Sequence, residues 1–317
     1  MKILDADATR QALPFERLIP ALRTMFAAGC EVPRRHVHAV GGGPEAGGFT
    51  SLLMPAWNAQ HYGIKTINIA PGNAARGLPG LHAVYQLFDA VTGVPLALLD
   101  GDEITARRTA AASALAASFI APPEAGRLLV VGAGRVARLL PAAYAAVRPL
   151  RQVRVWARSA AAAQALAADW RAQGVPAEPV DDLAAAVQQS DLVSCATLAT
   201  APVVQGAWLQ PGSHLDLIGS FTPAMREADD ACFAGAALYV DTEEAMEKSG
   251  DLLGPMSRGV FSAADVRGTL ATLCRGAAGE PGSVVQRDAG QRSVFKSVGT
   301  ALEDLAAAVL ALQTVSG

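Results

Sequence analysis

Residues 128–137 read Leu128-Leu129-Val130-Val131-Gly132-Ala133-Gly134-Arg135-Val136-Ala137, and no other ten residues constrain the chain as tightly. A short apolar strand runs into a glycine turn that opens a helix, which is how a βαβ unit that holds a dinucleotide begins. Each small residue has a physical reason. Gly132 permits the tight turn, Gly134 lets backbone N–H groups approach a pyrophosphate, and Ala137 lets helix and strand pack closely. The helix N-terminus adds unpaired donors and a partial positive charge facing the phosphates.

The pattern downstream continues as strand, helix, strand. A helix is expected over 135–148, with Pro141 inside it at a cost in stability, then a strand over 153–157 and an Ala-rich helix over 160–173. Further strands follow at 191–197, 214–220 and 237–242. After a Gly-rich stretch around 276–290, a strand at 294–299 leads into a last helix, 300–313. Upstream the rhythm differs. A helical pattern over 7–28, interrupted by Pro14 and Pro20, precedes strands His36–Val40, Phe49–Trp57, Gly63–Ala70, Leu81–Asp89 and Val94–Leu99. Short glycine- and proline-rich turns between them favour an antiparallel meander. Asp102 is expected to cap a long Ala-rich helix that runs to Ile120, before Pro122-Pro123. The fold class is therefore α/β. A Rossmann-type dinucleotide-binding domain over 121–291 is joined to an α+β domain with an antiparallel sheet, built from 1–120 with 292–317.

Bulk properties narrow the function. The chain has 317 residues, 51% of them hydrophobic and 17% charged, with a net charge of −3. Nothing in that balance points to nucleic acid or an anionic membrane. Sparse surface charge is consistent with area covered by a second subunit. Cys30, Cys195, Cys232 and Cys274 are scattered and read as reduced thiols. The N-terminus lacks the apolar core of a signal peptide, and the longest uncharged apolar stretch, from Thr109 up to Glu124, is too short to span a bilayer. A soluble, cytoplasmic protein is the expectation.

Several residues carry possible chemistry. The second strand of the βαβ unit ends in Arg158-Ser159, where an acidic residue would hold the ribose hydroxyls of NAD. Arg158 is then either a solvated surface charge or a ligand for a 2′-phosphate, and the missing carboxylate favours NADP(H) over NAD(H). On the helix 102–120, Thr105, Arg108, Thr109, Ala112, Ser113 and Ala116 share one stripe. It reads as facing a cleft, with Arg108 turned toward an anion and Arg107, about 100° away, a solvated charge. Lys65 shares a strand face with Gly63, Ile67 and Ile69; it either snorkels to water or enters a polar pocket. The five histidines show no metal-ligand spacing, and neither a Gly-x-Ser-x-Gly elbow nor a His-Glu-x-x-His helix occurs. Nucleophilic and zinc chemistry have no support.

Taken together, the stretches GIKTINIAPGN, TGVPLALLDGDEITARRTAAASALAA, VVGAGRVA, VRVWARS, TLATAPV, ALYVD and VFKSVGTALED resemble the ornithine cyclodeaminase and mu-crystallin family. The resemblance runs from about Met54 to the C-terminal helix. It implies a dimerising platform followed by the Rossmann domain, with substrate between them, and hence a homodimer. It assigns Lys65, Arg108 and, in a Pro-x-Arg stretch, Arg35 to the α-carboxylate of a small imino or amino acid; an anion shut away from water needs paired positive donors. Thr109, Gly132, Gly134, Arg135, Val136, Ala137, Arg158, Ser159, Thr197, Leu198 and Lys296 fall on positions that line the cofactor.

Two departures redirect the activity. Cyclodeaminases carry an acid just before Leu-Met-Pro, where this chain has Leu52, and a catalytic Asp where it has Phe221. Neither replacement can position or deprotonate a distal amine. The reading is thus an NAD(P)H-dependent imine reductase, acting on a substrate such as 1-pyrroline-2-carboxylate, with Lys65 and Arg108 as catalytic residues. The alternatives are an NAD-dependent ornithine cyclodeaminase and an NADPH-linked ligand-binding protein of mu-crystallin type.

Overall fold

A computed structural model describes residues 1–276, 288 and 290–316; most of the Gly-rich stretch at 276–290 lies outside the described residues. The chain divides into two compact units, Met1–Arg108 with Thr300–Gly317, and Thr109–Gly299.

The first unit opens with a short strand, β1 (Lys2–Leu4), and two helices, α1 (Ala6–Ala12) and α2 (Phe15–Ala28). The expected single interrupted helix is in fact two. Asp5 caps α1, and Pro14 stands at the N-cap of α2, where its missing N–H costs no helical hydrogen bond. Pro20 lies inside α2 without ending it. Next come β2 (His36–Val40), β3 (Phe49–Trp57), β4 (His61–Ile69), β5 (Leu81–Asp89) and β6 (Pro95–Asp100). They pair antiparallel in sequence order, and β1, which the sequence pattern did not reveal, joins β6 in parallel at one edge. Register aligns Met54, Lys65, Tyr85 and Leu99 in one row. All four are buried. The C-terminal helix (Ala301–Thr314) packs against α2 and against β3 and β4.

The long helix α3 spans Gly101–Ile120, and the division between units falls within it. Its cap is Asp100, whose carboxylate accepts from the Glu103 N–H at 2.8 Å. Asp102 therefore sits in the first turn, because the cap lies two residues earlier than the sequence suggests.

The second unit holds β7 (Arg127–Val131), α4 (Arg135–Ala145), β8 (Gln152–Trp156), α5 (Ala160–Ala172), β9 (Ala177–Pro179), α6 (Leu183–Gln188), β10 (Leu192–Cys195) and β11 (His214–Leu217). It continues with β12 (Ala237–Val240), α7 (Ala245–Lys248), α8 (Gly250–Ser257), β13 (Val266–Thr269), α9 (Leu270–Gly276) and β14 (Ser293–Lys296). All eight strands are parallel, in the order β13-β12-β14-β11-β10-β7-β8-β9. Leu129, Val131, Val193, Leu215, Leu217 and Val294 form the buried core of the sheet. Near-continuous apolar strands are what burial on both faces demands. Strand β7 has β8 on one side and β10 on the other, so the strand order reverses at its carboxyl end, where open α/β sheets bind ligands. Helix α4 tolerates Pro141 but ends at Ala145. Among the described residues none of the four cysteines forms a disulfide, and three of them are buried. No helix of the described residues is long and apolar enough to cross a membrane.

Candidate functional site

Gly132 adopts φ +123°, and a Cβ there would lie 2.5 Å from the carbonyl oxygen of Ala196. Its N–H donates to the Trp156 carbonyl at 2.8 Å. The glycine turn is thus wedged between the ends of β8 and β10, and no other residue fits it. Gly134 is different. Its backbone is extended (φ −82°, ψ −173°) and a Cβ would meet nothing within 4 Å, so the protein's own packing does not require glycine there. The open space in front of α4, whose N-terminus has no side-chain cap, suits the close approach of a phosphate. Arg135 and Val136 form the first turn, and Ala137 is fully buried against the sheet. A dinucleotide fits this cradle.

At the end of β8, Arg158 is exposed and takes part in none of the ion pairs found among the described residues. Ser159 caps α5, accepting from the Ala162 N–H. Beyond β10, Leu198 is exposed, whereas Thr197 donates through both its N–H and its hydroxyl to Glu227 Oε1, each at 2.7 Å. Lys296 is fully enclosed; its Nζ donates to the Leu217 carbonyl at 3.0 Å and lies 3.7 Å from Asp251. Around it gather buried acids. Burial pushes the Asp216 carboxyl up to about 6 despite hydrogen bonds from Ser194, Ser113 and Tyr144, and Glu227 up to about 7.

In the first unit, Lys65 is wholly buried and lies 2.7 Å from Asp304 of the C-terminal helix. This excludes the snorkelling alternative. Arg108 reaches the same carboxylate through Nε at 3.0 Å and Glu303 through Nη1 at 2.6 Å; Nη2 takes no part in either pair. Burial pulls Lys65 down to about 8, with Asp304 opposing. For Arg108 burial acts downward too, but its two carboxylates outweigh it and the net shift is upward. Arg35 stands immediately ahead of β2, partly exposed. Arg107 corrects the expectation of a solvated charge: it is buried, donates from Nε to the Leu13 carbonyl at 2.8 Å, and lies 4.5 Å over the Phe15 ring. The aromatic ring at the start of α2 supplies what water would have supplied. On the α3 stripe, Thr105 donates back to the Gly101 carbonyl, while Ser113 donates to Asp216. Thr109 is buried on the same helix.

Three residues that shape these clusters carried no expectation from sequence: Glu303, Asp304 and Glu227. For the first two a signal exists, since adjacent acids in an otherwise apolar helix must find buried cations. Leu52 shares the sheet face of Lys65, directly opposite Ile67. Phe221 follows β11 and is exposed. Neither offers a proton acceptor.

Comparison with known proteins gives a consistent picture. The ornithine cyclodeaminase/mu-crystallin family matches residues 39–317. A Delta(1)-pyrroline-2-carboxylate reductase of Paracoccus denitrificans is 40% identical over 314 residues, covering 98% of this chain and 96% of that protein. The rat ketimine reductase mu-crystallin is 34% identical over 261 residues, 81% of this chain and 78% of that one. Among solved structures, Thermococcus litoralis Delta(1)-pyrroline-2-carboxylate reductase in complex with NADH and L-proline superimposes with a TM-score of 0.90 at 28% identity, covering 100% of this chain and 98% of that one.

Proposed function

The chain belongs to the ornithine cyclodeaminase/mu-crystallin family, and from that premise we propose that it is an NAD(P)H-dependent reductase of a small cyclic α-imino acid such as 1-pyrroline-2-carboxylate. The observation that carries the proposal is the buried pairing of Lys65 and Arg108 around Asp304, in a chain that has Leu52 and Phe221 where cyclodeamination needs acids.

Bound at this site, the coenzyme would supply the hydride that reduces the imine carbon. The first turn of α4, Gly134 to Ala137, would hold the pyrophosphate, Thr197, Leu198 and Thr109 would line the nicotinamide half, and Lys296 would act from within the sheet through its charge. Arg158 with Ser159 receives a 2′-phosphate, which makes NADP(H) the preferred coenzyme over NAD(H). Lys65, Arg108 and Arg35 bind the substrate carboxylate. Two cations facing two carboxylates leave no net charge at the core of this cluster, so directed donors hold the substrate: the remaining N–H groups of the Lys65 ammonium and Arg108 Nη2. Lys65 also holds, near neutral pH, a proton at Nζ that the reduced nitrogen requires. Orientation against the nicotinamide supplies most of the rate.

The same reading makes the protein a cytoplasmic homodimer assembled through the first unit. Support for this comes from β2, exposed along its whole length with Val37 61% accessible, an edge that a monomer would leave open. Light scattering at micromolar concentration checks it, a monomer being the contrary result. Coenzyme choice is tested by measuring NADPH and NADH affinities at equal salt. Tighter NADPH binding, abolished by Arg158→Ala, is expected; tighter NADH binding contradicts the assignment of Arg158.

A further inference from the structure

Glu227 is completely buried in the loop between β11 and β12, yet its carboxylate reaches the ends of two strands. Oε1 accepts from the Thr197 N–H and O–H, both at 2.7 Å, just past β10. Oε2 accepts from the Gly219 N–H at 2.6 Å, just past β11. The fit is close: a Cβ on Gly219 would lie 2.5 Å from Oε1 and 1.9 Å from the Thr197 carbonyl. Thr197 in turn lies against the Gly132 turn, with its Cγ2 3.5 Å from where a Gly132 Cβ would stand. Behind Glu227, Asp251 Oδ1 accepts from the backbone N–H groups of Glu227 and Ala228 at 2.8 and 3.1 Å. One carboxylate therefore ties β10 to β11 beside the turn after β7, where the strand order reverses.

We propose that Glu227 is a positioning residue of the dinucleotide site, which in its ionised form clamps Thr197 and Gly219 in the arrangement the nicotinamide half of the coenzyme requires. The proposal rests on the dinucleotide reading given above. A buried carboxylate is a costly strut, since its charge is desolvated, whereas its three donors make it a specific one. All three donors are best met by the ionised carboxylate. A protonated acid must place its own O–H, and its hydroxyl oxygen accepts poorly, so one of the three bonds is weakened.

The charged neighbours set when that happens. Burial raises the Glu227 pKa to about 7, Lys296 of β14 lowers it, and Asp251 of α8 raises it; the thiol of Cys195 on β10 also faces it and stays protonated. As pH falls through this value the clamp is lost, and with it coenzyme affinity.

The test is the Kd for NADH, measured by fluorescence titration from about pH 8 to about pH 6; NADH lacks the 2′-phosphate, whose own ionisation near pH 6 would intrude. The unsubstituted protein should bind about tenfold more weakly at the acid end, as the competent fraction falls. Glu227→Gln, which presents an amide N–H to a Gly219 N–H, should show weak binding with a flat profile, and Glu227→Asp should restore the pH dependence. In the protein without coenzyme, the Thr197 and Gly219 amides should exchange hydrogen faster in Glu227→Gln. A pH profile in Glu227→Gln equal to that of the unsubstituted protein overturns the clamp. If that variant does not fold, a flat profile in the unsubstituted protein overturns it instead. Absence of NADH and NADPH binding at every pH would overturn the dinucleotide reading first, and the clamp with it.

Discussion

The two units bury charge in opposite ways. In the first, Lys65 and Arg108 meet Asp304 and Glu303, two cations against two carboxylates at salt-bridge distance. In the second, Asp216, Glu227, Asp241 and Asp251 surround the single ammonium of Lys296, and hydroxyl and backbone N–H donors make up the difference. A balanced cluster sets each buried charge against an opposite one and holds donors in fixed directions, which suits recognition of a carboxylate. An acid-rich cluster holds protons near neutrality, so its geometry depends on pH. The proposed function places the first at the substrate and the second in the walls of the coenzyme site.

The largest effects should come from unbalancing the first cluster. Lys65→Ala or Arg108→Ala removes a desolvated charge partner, and kcat/KM for the imino acid should fall by about 100-fold or more, with unchanged NADPH affinity. Full activity in either variant would refute the clamp on the substrate. Asp304→Asn leaves Lys65 without its nearest counter-charge. Unfolding free energy measured in urea should drop by about 3 kcal/mol. Because Asp304 holds the Lys65 pKa up against burial, its loss lowers that pKa further. In the unsubstituted protein KM should rise as pH passes about 8 and Lys65 loses its proton; in Asp304→Asn that rise should begin about one pH unit lower. An unmoved KM profile would separate Lys65 from substrate binding.

A smaller effect sharpens the second cluster. The folded protein keeps a proton on Asp216 up to about pH 6, well above its ordinary value, so this carboxyl favours the folded state most in acid and progressively less as pH rises. Asparagine carries no such dependence. Relative to the unsubstituted protein, Asp216→Asn should gain stability by on the order of 2–3 kcal/mol between about pH 4 and about pH 8, as read by urea denaturation; a constant difference would show that Asp216 is not the group that titrates. The smallest change is expected at Tyr85, which is fully buried in the row with Lys65, its hydroxyl without a hydrogen-bond partner among the described residues. Tyr85→Phe deletes an unsatisfied polar atom and should shift Tm upward or not at all; a drop of several degrees would mean that the hydroxyl is bonded in solution.

Much of this was legible in the chain. Strands β2, β3 and β5 follow from alternation bounded by glycine and proline turns, and the turn at Gly132 from its own spacing. Strands β1, β9 and β13, of three or four residues, were not, because so short a run carries no period and exists only through its neighbour. Arg107 and Arg108 are adjacent cations on one helix. Helical spacing separates their faces, but only the Phe15 ring and the acids of a segment some two hundred residues away say what each face meets. Glu227 could not have been singled out: two of its three donors are backbone N–H groups, which any sequence supplies, and the third is a lone threonine hydroxyl. The acids at 303 and 304 could have been, since an apolar helix does not bury two charges without cations to receive them.

The most direct test of the central claim is oxidation of NADPH with 1-pyrroline-2-carboxylate as substrate and proline measured as product.

 The predicted result is proline formed in step with the NADPH consumed, together with loss of both signals in Arg108→Ala. The contradicting result is no NADPH consumption, with ammonia released from ornithine in the presence of catalytic NAD.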